Sequence, residues 1–249
     1  MEFHLLVISF FIIAFVYSSV GFGGGSSYLA LMAQPFFALV PEVIRPTALL
    51  CNIVVVTGST IIFYKQGKLS WKEIWPFLVA SVPMAFIGGF WKLQDAVFFI
   101  LLGITLLIAS LFLWIQHDTT NNATSKIDGT IHKAALGGFI GFLSGLVSIG
   151  GGIFLSPILH LLNWAEAKKI SALASVFILV NSMSGLIGQF ARGFPSLDWQ
   201  LMISLLVAVF IGGQIGSRLG STKFKPVYVR RITALLIFIA SLNILKDHL

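Results

Sequence analysis

The sequence predicts an all-α polytopic membrane protein built from two repeats. Three observations carry that prediction: an apolar composition, a series of apolar stretches of membrane-spanning length, and a triple glycine that occurs twice in similar surroundings. Of the 249 residues, 57% are hydrophobic and only 10% are charged. A soluble domain carries roughly 25% charged residues, so this chain needs the bilayer as a second, apolar solvent.

A hydrocarbon core about 30 Å thick takes roughly 20 helical residues to cross. In chain order, residues 3–20 are the first apolar stretch. No Lys or Arg precedes it, and the same run into glycine recurs inside the chain, so it is read as a span rather than a cleaved leader. Residues 26–40 follow the first triple glycine and are marginal for a crossing. Residues 44–64, 74–91 and 96–115 are three clear spans. Residues 116–132 form a polar linker, and the Asn122-Ala123-Thr124 sequon inside it is a chance match. Residues 134–148 are a short, glycine-rich span. Residues 153–164, after the second triple glycine, are again marginal. Residues 172–190, 201–217 and 232–245 complete about eight to ten helical segments.

The linker separates two similar halves, residues 1–115 and 133–249. Gly23, Gly24 and Gly25 precede Gly150, Gly151 and Gly152 by 127 positions. Thr47-Ala48-Leu49 precede Ser171-Ala172-Leu173 by 124, and Trp71 precedes Trp199 by 128. The shared order is triple glycine, short helix, small-residue helix, tryptophan-led helix. Such repeats are common in secondary transporters, whose site often lies between them near the midplane.

Charge distribution orients the halves. The net charge is +7, but the basic residues lie in short breaks between apolar runs, as topology signals do, and not in the aromatic-basic pattern of a nucleic-acid surface. Lys65, Lys68 and Lys72 precede the tryptophan-led helix of the first half. Arg218, Lys223, Lys225, Arg230 and Arg231 follow that of the second. Equivalent helices then cross in opposite directions, which gives inverted repeats, each a glycine-broken hairpin plus three crossings. Both termini lie outside and the linker lies in the cytoplasm, with Lys168 and Lys169 inside as well. A parallel duplication of four spans per half is the alternative.

The triple glycines are the leading site candidates. Backbone that leaves a helix within a bilayer must be buried in protein or line a wet cavity. A helix starting there presents unpaired N–H groups and a positive dipole end, which together suit an anion. Ser26 and Ser27 add hydroxyls at the first break. Close packing alone is the competing reading, and the spacing of four in Gly137, Gly141, Gly145 and in Gly212, Gly216, Gly220 marks packing faces. Polar residues within spans come next: Asn52 and Thr57 in one helix, Asn181, Ser182 and Gln189 in its counterpart, and more weakly Gln214. Each competes with an interhelical hydrogen bond. His160 reads as packed and neutral, with proton carriage as the other option. Arg45 and Arg192 either guide an anion into a vestibule or snorkel at the interface. The lone cysteine, Cys51, excludes an intrachain disulfide and reads as a packing residue.

An enzyme is not expected. The sequence offers no metal-ligand cluster, no nucleophile–base–acid set and no nucleotide loop, since neither glycine block runs into Lys-Ser/Thr. No cofactor or nucleic-acid partner is implied, and the lipid bilayer is the surrounding partner.

Residues 18–29 (SSVGFGGGSSYL) and 144–159 (SGLVSIGGGIFLSPIL) resemble the repeated GxGGG signature of the sulfite exporter TauE/SafE family. Ser156-Pro157, the run from Asn52 to Thr57, and YKQGKLSW at residues 64–71 add to the likeness, which covers essentially the whole chain. The first block departs from it, with Ser27, Tyr28 and Ala30 where the second has Phe154, Leu155 and Pro157. The resemblance implies a permease of a bacterial plasma membrane for small sulfur-containing anions, sulfite or organosulfonates, often as an exporter. It also implies a proton or other coupling ion.

Overall fold

The computed structural model describes residues 2–19, 23–37, 39–116, 129–193, 198–223 and 226–248. Its elements are α1 (Glu2–Ser18), α2 (Gly25–Met32), a 3-10 turn (Pro35–Phe37), α3 (Pro41–Lys65), α4 (Trp71–Phe90), α5 (Asp95–Ile115), α6 (Thr130–Val147), α7 (Gly152–Leu161), α8 (Ala167–Arg192), α9 (Trp199–Lys223) and α10 (Pro226–His248). Most of the 116–132 linker, with its sequon, and Lys225 lie outside the described residues.

Six of these helices, α3, α4, α5, α6, α8 and α9, are long and apolar enough to cross a membrane. Large apolar side chains such as Ile12, Phe139, Ile187, Phe210 and Leu236 are exposed along the helices, as lipid contact requires. The protein is an all-helical integral membrane protein.

Local chemistry accounts for the helix ends. Pro41 sits at the first position of α3, where a missing N–H costs nothing, and Glu42 follows in the positive first turn. Asp198 Oδ1 accepts the N–H groups of Gln200 and Leu201 at 3.0 and 3.1 Å, capping α9.

The two marginal segments are too short to cross a membrane as helices. The 8 residues of α2 and 10 of α7 reach about 12 and 15 Å at 1.5 Å per residue, near half of the apolar core. The expected apolar piece at 26–40 is α-helical only to Met32, with the 3-10 turn of Pro35–Phe37 after it. Pro35 disfavours helix at the residue before it, and Gln34 turns its side-chain amide back onto the Ala30 carbonyl at 2.8 Å.

The packing follows the glycines. A methyl at Gly137, Gly141 or Gly145 of α6 would collide with the carbonyls of Phe77, Ser81 and Ala85 of α4, so these helices run parallel, backbone to backbone. Gly212 and Gly216 of α9 meet the carbonyls of Phe11 and Phe15 of α1 in the same way. The expected glycine faces are therefore real, although the side-chain environment of residue 220 is not described. α3 and α8 run antiparallel, with Leu49 against Gly185 and both Arg45 and Gln189 on Ser148. So do α5 and α10, with Gly103 against Leu245 and Phe99 against His248. Helix contacts recur between the first five and the last five helices: α4–α6 with α9–α1, α4–α8 with α9–α3, α2–α3 with α7–α8, and α2–α10 with α7–α5, while α3–α8 and α5–α10 each join matching helices.

Candidate functional site

Both triple glycines form sharp breaks where a half-helix begins. Gly24 and Gly151 cap α2 and α7 in the left-handed conformation, at φ 80° and 84°, which a residue with a Cβ adopts only at a cost. Neither cap has a side-chain hydrogen bond. The first N–H groups to reach a backbone carbonyl are those of Ser27, on Gly24, and Phe154, on Gly151. Among the described residues no backbone carbonyl outside the helices receives the N–H groups of Gly25, Ser26, Gly152 or Ile153, the donors that a helix start leaves over.

The two breaks converge on Asn52 in the middle of α3. A methyl at Gly23 or Gly25 would overlap the Asn52 amide, and one at Gly150 would lie 2.8 Å from Asn52 Nδ2 and 2.8 Å from Ser182 Oγ. Asn52 Nδ2 donates to the Ile149 carbonyl at 3.0 Å, joining the first break to the second. Asn52 Oδ1, both amide atoms of Asn181, and the hydroxyls of Ser182, Ser156 and Tyr28 are buried without a hydrogen-bond partner among the described residues. Buried polar atoms are normally satisfied, so these atoms hold unused hydrogen-bonding capacity, with Asn52, Ser182 and Tyr28 placed against the breaks themselves.

The remaining sequence candidates fall around this centre with unequal access. Ser26 is buried in the first turn of α2. Ser27 is half-buried and hydrogen-bonded to the Tyr17 hydroxyl. Thr57 lies beyond Asn52 on α3 and donates to the carbonyl of Ile53 in its own helix at 2.6 Å. Gln189 lies nearly two turns along α8 from Ser182 and donates to Ser148 Oγ at 2.9 Å. Gln214 approaches Gly58 rather than the breaks, 3.1 Å from a methyl placed there. His160 is buried in α7, and Cys51 is buried beside Asn52 on α3.

Sequence reasoning missed Ser148. It ends α6 in the left-handed conformation at φ 63° and accepts from both Gln189 and Arg45. Its only sequence signal is its place two residues before the second glycine block. Arg45 does not snorkel at the surface, as one sequence reading had it, and it lines the open cavity described below. It is buried, and its guanidinium donates to the Gly89 and Gly145 carbonyls at 3.5 and 3.4 Å. It stands 5.7 Å from the Phe98 ring centroid.

At one end of the bundle, Lys68 pairs with Glu166 at 3.5 Å and Lys169 with Glu73 at 2.6 Å. These pairs tie the α3–α4 turn and the start of α4 to the start of α8. At the other end, an open cavity of about 190 Å³ is lined by Pro41, Glu42, Arg45, Lys92, Gln189 and Arg192 among others.

Residues 6–244 match the model of the family described as Sulfite exporter TauE/SafE. The chain belongs to the sulfite exporter TauE/SafE family. Its relatives include "Probable membrane transporter protein y4hK" of Sinorhizobium fredii, 36% identical over 96% of this chain and 97% of the relative. "Probable membrane transporter protein YunE" of Bacillus subtilis is 26% identical over 95% and 96%. "Probable membrane transporter protein MJ0441" of Methanocaldococcus jannaschii is 26% identical over 91% and 89%. No solved structure matches the chain. TauE/SafE membership across nearly the whole length, together with these relatives, makes the protein a membrane transporter.

Proposed function

We propose that this TauE/SafE transporter exports small sulfur-containing anions, such as sulfite or organosulfonates, across a bacterial plasma membrane. It works by alternating access, as a carrier and not as an enzyme. The anion binds where the starts of α2 and α7 meet Asn52. The observation that carries this reading is the convergence of two helix N-termini, whose first N–H groups reach no backbone carbonyl among the described residues, on Asn52 and Ser182, which carry buried polar atoms without partners there. Compact sulfonate or sulfite oxygens suit the donors of this set, the helix-start N–H groups, the Ser182 hydroxyl and Asn181 Nδ2, while Asn52 Oδ1 can only accept.

The antiparallel course of α3 against α8 and of α5 against α10 supports two inverted repeats, 1–115 and 133–249. The ion pairs gather Lys68 and Lys169 at one end, which the positive-inside tendency assigns to the cytoplasm. A bundle tied there and open at the opposite end has the asymmetry that alternating access requires. The membrane potential supplies a drive for export: a negative interior favours anion exit by about 2.3 kcal/mol per charge per 100 mV, nearly fifty-fold in concentration. A proton or other coupling ion acts beside it.

A second reading, uptake, is favoured by the Arg45, Lys92 and Arg192 lining of the open cavity, which would collect anions from outside. Radiolabelled sulfoacetate flux in proteoliposomes tests the site. Asn52→Ala removes a buried amide that meets both breaks and is expected to slow flux about tenfold or more. Thr57→Ala, whose hydroxyl serves its own helix, stays within about twofold. Unchanged flux in Asn52→Ala removes the site. No flux and no binding of any anion leaves a membrane scaffold.

A further inference from the structure

We infer that the cavity at the open end is an anion-binding site in its own right, centred on Arg45 and separate from the glycine breaks. It takes a small oxyanion of the sulfate, sulfite or sulfonate type.

Arg45 is 4% exposed, and among the described residues no carboxylate lies within ion-pair distance of it. A buried charge without a counter-charge is costly unless a ligand or dipoles compensate it. Its protein partners are weak: Ser148 Oγ at 3.3 Å from Nε, and two carbonyls at 3.4 and 3.5 Å from Nη2. These leave Nη1 without a hydrogen bond among the described residues, while Arg45 lines the cavity.

Three cations, Arg45, Lys92 and Arg192, line the cavity against one carboxylate, Glu42. The carbonyl ends of α4 and α6, which Arg45 caps, offset part of the excess, but the balance stays positive. A guanidinium presents a planar fork of donors suited to oxyanions. The volume of about 190 Å³ holds such an ion with some of its water, each water taking about 30 Å³. Ser148 connects the site inward: it accepts from Arg45 and Gln189, and the carbonyl of its neighbour Ile149 accepts from Asn52. An anion held at Arg45 therefore waits one relay away from the glycine breaks.

The test is sulfate binding to purified protein in detergent, followed by isothermal titration and thermal unfolding, with chloride at matched ionic strength as control. Arg45→Gln should weaken sulfate binding about tenfold or more, the loss expected for a charge-assisted hydrogen bond. Arg45→Lys, which keeps the charge without the fork, should fall between Arg45→Gln and the native protein. Arg192→Gln, an exposed change that spares folding, should weaken binding severalfold, and Glu42→Gln should tighten it. If Arg45 is only a cap for α4 and α6, Arg45→Gln lowers the unfolding midpoint while sulfate binds as before, and the inference falls. It also falls if Arg192→Gln and Glu42→Gln both leave binding unchanged. The inference rests on the anion-transport reading only for the choice of ligand. Sulfate binding with these shifts in a protein that moves no anion would overturn that reading and keep this site. Intact anion flux with sulfate binding that none of these substitutions alters would do the reverse.

Discussion

Three glycine-to-alanine substitutions separate the two demands that the breaks make on the backbone. Gly67 has a positive φ of 65°, and an added methyl meets nothing within 4 Å. Gly67→Ala therefore carries only the left-handed penalty of about 1–2 kcal/mol, less about 0.4–1 kcal/mol from a stiffer unfolded chain. Gly152 is helical, and its methyl would collide with the Ile178 side chain. Gly152→Ala carries an overpacking cost of about 1–3 kcal/mol, offset by up to about 1 kcal/mol of helix propensity. Gly151 combines both, with φ 84° and a methyl overlapping Ser144 Oγ and 2.8 Å from Phe177 Cε1. Gly151→Ala should lose about 2–4 kcal/mol, the larger part from overpacking. Thermal unfolding of the detergent-solubilised variants gives the order native, Gly67→Ala and Gly152→Ala, then Gly151→Ala clearly lowest. If Gly151→Ala is no less stable than Gly67→Ala, the break is not tightly packed and the account of it is wrong.

Other consequences can be checked separately. Gly141→Ala pushes a methyl into the Ser81 carbonyl of α4 and should destabilise by about 1–3 kcal/mol. Gly138→Ala, whose methyl sits 3.2 Å from the Ala80 methyl, should be near neutral, and comparing their unfolding midpoints tests the α4–α6 contact. Ser184→Ala removes the bond to the Val82 carbonyl at 2.6 Å and should cost about 0.6 kcal/mol, typical of hydrogen bonds between membrane helices. Lys169→Glu alone should leave stability within about 1 kcal/mol, because the pair with Glu73 is part-exposed. It should nonetheless raise the reactivity of cysteines placed at the start of α8, and Glu73→Lys in the same chain should restore the native value.

Much of the fold was legible because helix periodicity and bilayer thickness are local constraints. The glycines spaced by four identified the α6 and α9 contact faces before any partner helix was known. The half-helices were legible as breaks but not in length, since the end of α2 depends on Gln34 folding back before Pro35. The candidate site was legible in part. Asn52 was visible as a polar group in an apolar span, yet its position against both breaks depends on how α2, α3 and the α6–α7 junction meet. Thr57 was visible in the same way as a polar group of that span, and its hydroxyl bonds within its own helix. Arg45 showed its place near a segment end, but not its burial or the carbonyls of Gly89 and Gly145, which converge on it from two other helices. Ser148 showed only its place beside the second glycine block, because a serine takes the left-handed conformation where tertiary contacts hold it.

The central claim is that this membrane transporter moves a small sulfur-containing anion. The most direct measurement is radiolabelled sulfite and sulfoacetate flux in proteoliposomes under imposed potentials of either sign. The account predicts saturable flux that runs faster toward the positive side and collapses in Asn52→Ala. Flux no greater than in protein-free liposomes, for both anions and at both potentials, would contradict it.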